Sequence, residues 1–328
     1  MTESNSETVP GWRRRLGTVL TRVSLVVFLI GLMVRLTVRD RYLVANTIDY
    51  ATPWSVLCVL GCIAGWQRPG RGTQQPWRRL VLAAAILCGV AWIRTSWFNR
   101  AAVEQPDHIR VVTWNLAHGK LGLPALAAAA AVLRPDVAIF VEADPANVNV
   151  RQVFRTAFPD HHVFLLGGGI VLVSQWPGGE ARAWQFGPAK VETRIREIEI
   201  ETPWGVWTVF GCDVASDTLY QREPHLRELA RRISLRKNPV IVAGDFNTPL
   251  DSVHFRLLRD LGLKEAFETA GSGYLPTWPL PCPVLSLDQI WLDPRLEPVR
   301  CVRDWNWRSD HAAVVATVRP SETAEQGH

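Results

Sequence analysis

The chain has 328 residues, 48% hydrophobic and 20% charged, which excludes a disordered polymer and accommodates one large or two modest domains. Its formal charge of +5 is unevenly placed: residues 1–106 hold 13 Lys+Arg against 5 Asp+Glu, net +8, and residues 107–328 hold 23 against 26, net −3. The acidic remainder is not the profile of a nonspecific nucleic-acid binder, whose phosphate contacts need clustered Lys and Arg.

Residues 1–16 read as a basic N-terminal tail ending in Arg13, Arg14 and Arg15. Residues 17–100 read as a membrane region with about three transmembrane helices, over 18–38, 43–66 and 80–98. A span needs ~20 apolar residues, and the second and third are short or interrupted by that measure. Trp54, Trp66, Trp77, Trp92 and Trp97 fall near the segment edges, where an indole with an apolar ring and one polar N–H belongs. A signal peptide is the rival reading of the first segment. It lacks an evident small-residue cleavage site, and two more apolar segments follow. A soluble three-helix subdomain is the other alternative.

Arginine placement sets an orientation. Arg13–Arg15 and the group Arg68, Arg71, Arg78 and Arg79 stay cytoplasmic, so everything after about residue 100 lies outside the cytoplasmic membrane. Arg35, Arg39 and Arg41 weigh against this assignment.

From Ile109 short β-rich runs alternate with helical stretches, the grammar of an α/β domain over 101–320, followed by a polar tail at 321–328. Strands are predicted at 109–114, 137–141, 170–174, 191–200, 206–211, 239–243, 287–292 and 311–318, and helices at 123–133, 148–158 and 221–235. Arg231, Arg232, Arg236 and Lys237 are the best basic patch, and an exposed helix face is the simpler reading. The six cysteines show no C-x-x-C or zinc spacing. They read as small core residues, with one bridge among Cys212, Cys282 and Cys301 left open.

Four predicted strand ends carry chemistry: Asn115, Glu142, Asp245 with Asn247, and Asp310 with His311. Strand ends are rigid and open onto solvent-facing loops. Oxygen donors with a single imidazole favour a hard cation, Mg2+ or Mn2+, over zinc, and phosphate ester cleavage is the natural chemistry. Asp245 and Asn247 flank one residue, so an extended backbone points both to one side. An Asx turn at a strand end is the competing explanation.

The stretches TWN at 113–115, PDVAIFVE at 135–142, GDFN at 244–247, LDQIWL at 287–292 and SDH at 309–311 resemble, in order, the endonuclease/exonuclease/phosphatase superfamily of Mg2+-dependent phosphoesterases. With its hydrophobic N-terminal part, the chain is similar to the membrane-tethered, VanJ-like branch. The resemblance implies a four-layer sandwich of two packed β-sheets flanked by helices. It further implies Glu142 as principal metal ligand with Asn115 and Asp310 completing or supporting the shell, Asp245 as general base with Asn247 as its positioner, and His311, oriented by Asp288, as donor to a phosphate oxygen. One departure stands out. Asp213, in Gly211-Cys212-Asp213-Val214, occupies a position where many members carry histidine.

Trp278, Trp305 and Trp307, with Trp176, Trp184 and Trp204, are expected in loops around the mouth. There they would grip a lipid chain, sit at a bilayer surface or stack on bases, with ordinary core burial as the alternative. The expected partners are the bilayer and a phosphate-containing substrate, lipid in preference to nucleic acid, and no protein partner. The leading reading is thus a membrane-anchored phosphoesterase acting on a lipid phosphate ester or pyrophosphate. The alternatives are a nuclease acting outside the cytoplasm and a catalytically silent tethered module.

Overall fold

The protein is described by a computed structural model covering residues 11–66, 76–100, 108–186 and 192–320. Arg68, Arg71, most of the N-terminal tail, the polar tail and the first residue of the strand expected at 191 lie outside the described residues. The chain divides into two compact units, Met1–Thr95 and Ser96–His328.

The first unit is helical: α1 (Gly11–Thr37), α2 (Leu43–Ala51), α3 (Trp54–Gly65) and α4 (Pro76–Ser96). Among the described residues, two helical stretches are long and apolar enough to cross a membrane, Arg15–Thr37 and Pro76–Ser96. The expected second span is instead broken. Pro53, which has no N–H to donate and disfavours helical backbone at Thr52, separates α2 from α3, and the pair is bent by 71°. A third span exists only if this bent pair counts as one. Small residues let the helices approach: a Cβ on Gly61 would lie 2.7 Å from the Ala85 Cβ, and one on Gly65 2.4 Å from Leu82. Arg35 Nη1 donates to Asp49 Oδ1 at 3.1 Å, so this buried arginine has an internal counter-charge.

The second unit opens with β1 (Trp97–Asn99) and β2 (Ile109–Asn115), then α5 (Leu123–Val132), β3 (Val137–Val141), α6 (Val150–Ala157), β4 (His162–Gly167), β5 (Ile170–Ser174) and β6 (Arg182–Phe186). It continues through β7 (Thr193–Thr202), β8 (Gly205–Asp213), α7 (Glu223–Ile233), β9 (Val240–Asp245), α8 (Arg256–Arg259), β10 (Lys264–Glu265) and α9 (Ala266–Ala270). It closes with β11 (Ser272–Tyr274), β12 (Asp288–Leu292), β13 (Leu296–Asp304) and β14 (Ala313–Pro320).

Two mixed six-stranded sheets pack face to face, in orders β10-β12-β9-β8-β7-β6 and β13-β14-β2-β3-β5-β4, with β1 and β11 as a separate ribbon. Helices flank them, as the four-layer expectation requires. Ile109, Val111, Ile139, Ile170 and Leu172 of one sheet join Val209, Ile241 and Ile290 of the other in one buried cluster. Val112, Trp114 and Phe140 face outward to bury Leu126, Ala127 and Phe154 of α5 and α6. Alternation along β2 therefore fills two layers, and the odd-numbered positions run up to Asn115 in the space between the sheets.

The last predicted strand starts at Ala313 rather than 311, because Ser309 to Ala312 form a turn. Strands β1, β4, β6, β10, β11 and β13 have no counterpart among the predicted ones; β6 is mostly exposed at a sheet edge, where the hydrophobic pattern is weak. All six cysteines are free thiols, so Cys212, Cys282 and Cys301 form no bridge.

Gly244 sits where β9 passes β8 with φ +144°, and a Cβ there would lie 1.9 Å from the Cys212 carbonyl oxygen. Gly244→Ala is expected to destabilise this unit by about 2 kcal/mol or more. The fall in melting temperature of the purified full chain in detergent measures it.

Candidate active site

The strand registers build the site. Arg194 on β7 is the partner of Asp213 on β8, Asp213 of Asp245 on β9, and Asp245 of Asp288 on β12. These four residues form one cross-strand row at the end of one sheet. Residues directly opposite on adjacent strands stand about 5 Å apart, so three acids are forced into proximity.

The facing sheet answers with Asn115. Its Nδ2 donates to Asp245 Oδ2 at 2.9 Å and to Glu142 Oε1 at 3.1 Å, while its Oδ1 accepts from the Ala117 N–H at 2.9 Å. The backbone donor fixes the amide orientation, so nitrogen faces the carboxylates. Asp245 Oδ1 accepts from the Asn247 N–H at 2.8 Å, and Asn247 Nδ2 donates to the Val214 carbonyl. This is an Asx turn with Asn247 at φ +45°, not the extended segment that would aim both side chains alike.

His311 is placed by a turn locked to β2. Trp114 Nε1 donates to the His311 carbonyl at 2.9 Å, Ser309 Oγ to the Asn115 carbonyl at 2.7 Å, and the His311 N–H to Ser309 Oγ at 3.1 Å. Its Nδ1 pairs with Asp288 Oδ2 at 2.8 Å. Its Nε2 lies 3.9 Å from Asp245 Oδ2, beyond hydrogen-bond reach. Thr277 Oγ1 accepts from the Leu287 and Asp288 N–H groups, which steadies the acid.

Burial, then repulsion from Asp288, lifts the Asp245 carboxyl to about 7, although His311 and the Asn247 N–H oppose the rise. Burial likewise leads in raising Asp213 to about 6, with Glu142 adding to it and Arg194 opposing. Burial would lower His311, but Asp288, Asp245 and Asp310 outweigh it and carry the imidazole up to about 10. Near neutral pH the imidazole is charged.

The structure therefore brings together Asn115, Glu142, Asp245, Asp288 and His311, with Asn247 in the turn below and Asp213 along the row. Asp310 is exposed at the rim on the His311 side, accepting from Trp278 Nε1 at 3.3 Å. Two participants escaped the sequence reading. His118 lies between acids, with Nδ1 2.8 Å from Asp144 and Nε2 3.3 Å from Glu142; its place three residues past Asn115 in a strand-end loop was the available signal. Arg194 pairs with Asp213 at 3.0 Å, and only the register of β7 against β8 reveals it.

The basic patch is partly paired: Arg231 and Arg232 share Glu228 on α7, and Arg236, beyond the helix, pairs with Glu197 of β7. Trp278 lies 6.3 Å from the His311 ring, and Trp305 stacks on Tyr274. Trp176 and Trp204 instead cluster with Trp207 at the β7–β8 hairpin, the far end of those strands from Arg194 and Asp213, and Trp184 lies under Arg232. Strand direction corrects the expected place of Trp176 and Trp204 at the mouth, and the packing of Trp184 under Arg232 corrects the third.

A charged imidazole clamped by one buried acid, beside a second buried acid with a raised pKa, is equipment for water attack on a phosphate ester. Residues 112–311 match the sequence profile of the Endonuclease/Exonuclease/phosphatase family, and the chain belongs to that family. It is accordingly an enzyme of the class that hydrolyses phosphate ester bonds, which removes the silent-module alternative. No curated protein sequence matches the chain.

Solved structures agree on the fold. The endonuclease/exonuclease/phosphatase from Beutenbergia cavernae DSM 12333 is 17% identical with a TM-score of 0.52, over 66% of this chain and 72% of that one. The Bacteroides vulgatus protein of the same description is 14% identical with a TM-score of 0.53, over 65% and 99%. D. rerio TDP2 complexed with single strand DNA product is 16% identical with a TM-score of 0.52, over 65% and 99%.

Enzymes of this family generally use a divalent metal. The donor chemistry fits: Glu142 keeps a quarter of its side chain exposed, shares the Asn115 amide with Asp245 and carries a charge that acts on Asp213. Asp245, Asp288 and His311 also bring potential ligand atoms within 4.8 Å of one another. Within this trio His311 Nδ1 is committed to Asp288, which orients the imidazole for proton and charge work.

The pKa shifts act on stability in one direction. Asp245 rises from 3.8 to about 7, so its folded-state ionisation costs stability as pH climbs between those values. His311 rises from 6.5 to about 10, so its stabilisation is complete below 6.5 and is lost on the way to 10. In EDTA the melting temperature of the full chain is expected to fall steadily from pH 5 to pH 9. Asp245→Asn should raise it at pH 8 and change it little at pH 4.

Proposed function

We propose that the chain is a membrane-anchored, divalent-metal-dependent phosphoesterase that hydrolyses a phosphate ester or pyrophosphate of a lipid. The observation that carries the substrate class is the junction at residue 96. Helix α4 ends at Ser96, and Trp97 begins the strand that pairs with β11. Trp97 packs against Tyr274 at 5.0 Å with the rings tilted by 37°, Tyr274 stacks on Trp305 at 6.2 Å, and four residues beyond Tyr274 stands Trp278 beside His311. Trp97 and Trp305 are 56% and 39% exposed, and Trp307 is 66% exposed. If α4 spans the bilayer, Trp97, its first following residue, lies at the interface. Indoles suit this zone.

The exposed apolar side chains of α1 and α4, including Val23, Val26, Leu87 and Ile93, support anchoring. The internal pairing of Arg35 with Asp49 removes one objection to an extracytoplasmic catalytic domain on the cytoplasmic membrane. The VanJ-like branch belongs to this same reading.

In the reaction Asp245 takes a proton from the attacking water. A pKa of about 7 suits that task, and the amide of Asn115 and the N–H of Asn247 hold the carboxylate still. His311 donates from Nε2 to a phosphate oxygen as negative charge develops, with Asp288 keeping Nδ1 protonated. Glu142 would be the principal ligand for Mg2+ or Mn2+, with Asp310 supporting the shell from the rim and Asn115 orienting Glu142 through its amide. When bound, the cation supplies Lewis-acid stabilisation of phosphate charge.

Two tests follow. Glu142→Ala should weaken metal binding at least tenfold, whereas Asp245→Asn should leave it near normal and lower turnover by about 10²-fold or more; isothermal metal titration beside single-turnover rates separates them. Equal loss of metal affinity in both would overturn the division of roles.

Replacing Trp278, Trp305 and Trp307 together by Ser should depress hydrolysis of a polyprenyl phosphate or phospholipid in vesicles about tenfold more than hydrolysis of a small soluble ester. A nuclease, the second reading suggested by the DNA product bound to D. rerio TDP2, would instead cleave DNA at least as fast as lipid. Its affinity would fall steeply with salt.

A further inference from the structure

We infer that Arg194 forms a phosphate-binding subsite at the opposite end of the acid row from His311, presented by Asp213 and taking a non-bridging oxygen of the substrate phosphate. The inference rests on the phosphoesterase reading for its substrate and on the strand registers for its geometry.

The row runs Arg194, Asp213, Asp245, Asp288 across four adjacent strands, and His311 caps the Asp288 end. Cationic donors thus stand at both ends of three carboxylates. All four side chains of the row project from equivalent positions of paired strands, so Arg194 faces the same space between the sheets as Asp245. An arginine side chain spans the distance between strands and reaches back along the row, as its 3.0 Å pairing with Asp213 demonstrates.

Arg196, two residues on and on the same face, shows what a purely structural arginine does here. It is 5% exposed and donates to the carbonyls of Leu166, Gly167, Trp184 and Ile195. Arg194 behaves differently. Its side chain is 31% exposed, Nη1 donates to Asp213, and Nη2 stands 3.5 Å from Glu192. A guanidinium has five N–H donors in a planar fork, more than these two acids engage, and the fork matches a phosphate edge.

The scaffold holds this arginine in place. The turn Gly167-Gly168-Gly169 runs at φ +81°, +62° and +76°, and a Cβ on Gly168 would lie 2.7 Å from Arg194 Cδ and 2.6 Å from Arg196 Nη2. Both side chains lie against bare backbone, so the stem of Arg194 is confined while its head reaches solvent. Asp213 is itself buried, opposite Asp245, and the charges of Arg194, Glu142 and His118 act on it. Removing Arg194 would leave that acid among acids.

The full chain in detergent, loaded with Mg2+, supplies the test, with inorganic phosphate as the probe. Arg194→Gln should weaken phosphate binding, read by calorimetry, about tenfold, and raise KM for bis(4-nitrophenyl) phosphate by a similar factor while kcat changes less than about threefold. Arg194→Lys, which keeps the charge without the fork, should fall between. Phosphate affinity unchanged in a natively melting Arg194→Gln protein overturns the subsite, as does a wild type that binds no phosphate. If Arg194→Gln does not fold, Arg194→Lys decides by the same titration, wild-type affinity overturning the inference. Phosphate binding that weakens as expected in a protein hydrolysing no ester supports the subsite and sinks the phosphoesterase reading instead.

Discussion

Three carboxylates on neighbouring strands, Asp213, Asp245 and Asp288, occupy one buried row, and the rest of the site is arranged around their mutual repulsion. A buried acid without compensation protonates or destabilises the fold. Each member here has its own remedy. Asp288 has the His311 imidazole, Asp213 the Arg194 guanidinium, and Asp245 the Asn115 amide with the Asn247 N–H. Burial and repulsion from Asp288 hold Asp245 near a pKa of 7, although His311 and the Asn247 N–H oppose the rise.

Those remedies come from different parts of the chain, and their precision depends on packing. The hydrogen bonds from Trp114 and Ser309 tie the His311 turn to the strand that carries Asn115, so the imidazole and the amide move as one body. Trp114 is itself buried against α5 and α6. The outer helical layer therefore takes part in positioning a group on the inner face of the sheet. A charge network of this kind tolerates little displacement, since a 1 Å shift in a donor is costly in a water-poor site.

Two helical stretches among the described residues are long and apolar enough to cross a membrane, which bears on access rather than chemistry. Under the proposed reading the substrate arrives by lateral diffusion, and general attraction for polyanions is unnecessary. The net −3 of residues 107–328 is consistent with that economy.

The sequence by itself determined the α/β class, the hydrophobic N-terminal part and the strand ends that carry Asn115, Glu142, Asp245, Asp310 and His311, because short apolar runs ending in acids and amides are local patterns. It reached Asp288 through the resemblance of its motif. It did not reach Arg194 or His118, nor the break at Pro53 as a 71° bend, nor the separation of Trp176 and Trp204 from the mouth. Those depend on which strands become neighbours and in what register. Pairing β7 with β8 so that Arg194 meets Asp213 is a long-range choice, made by burying the inner faces of two sheets together, and only the tertiary structure decided it.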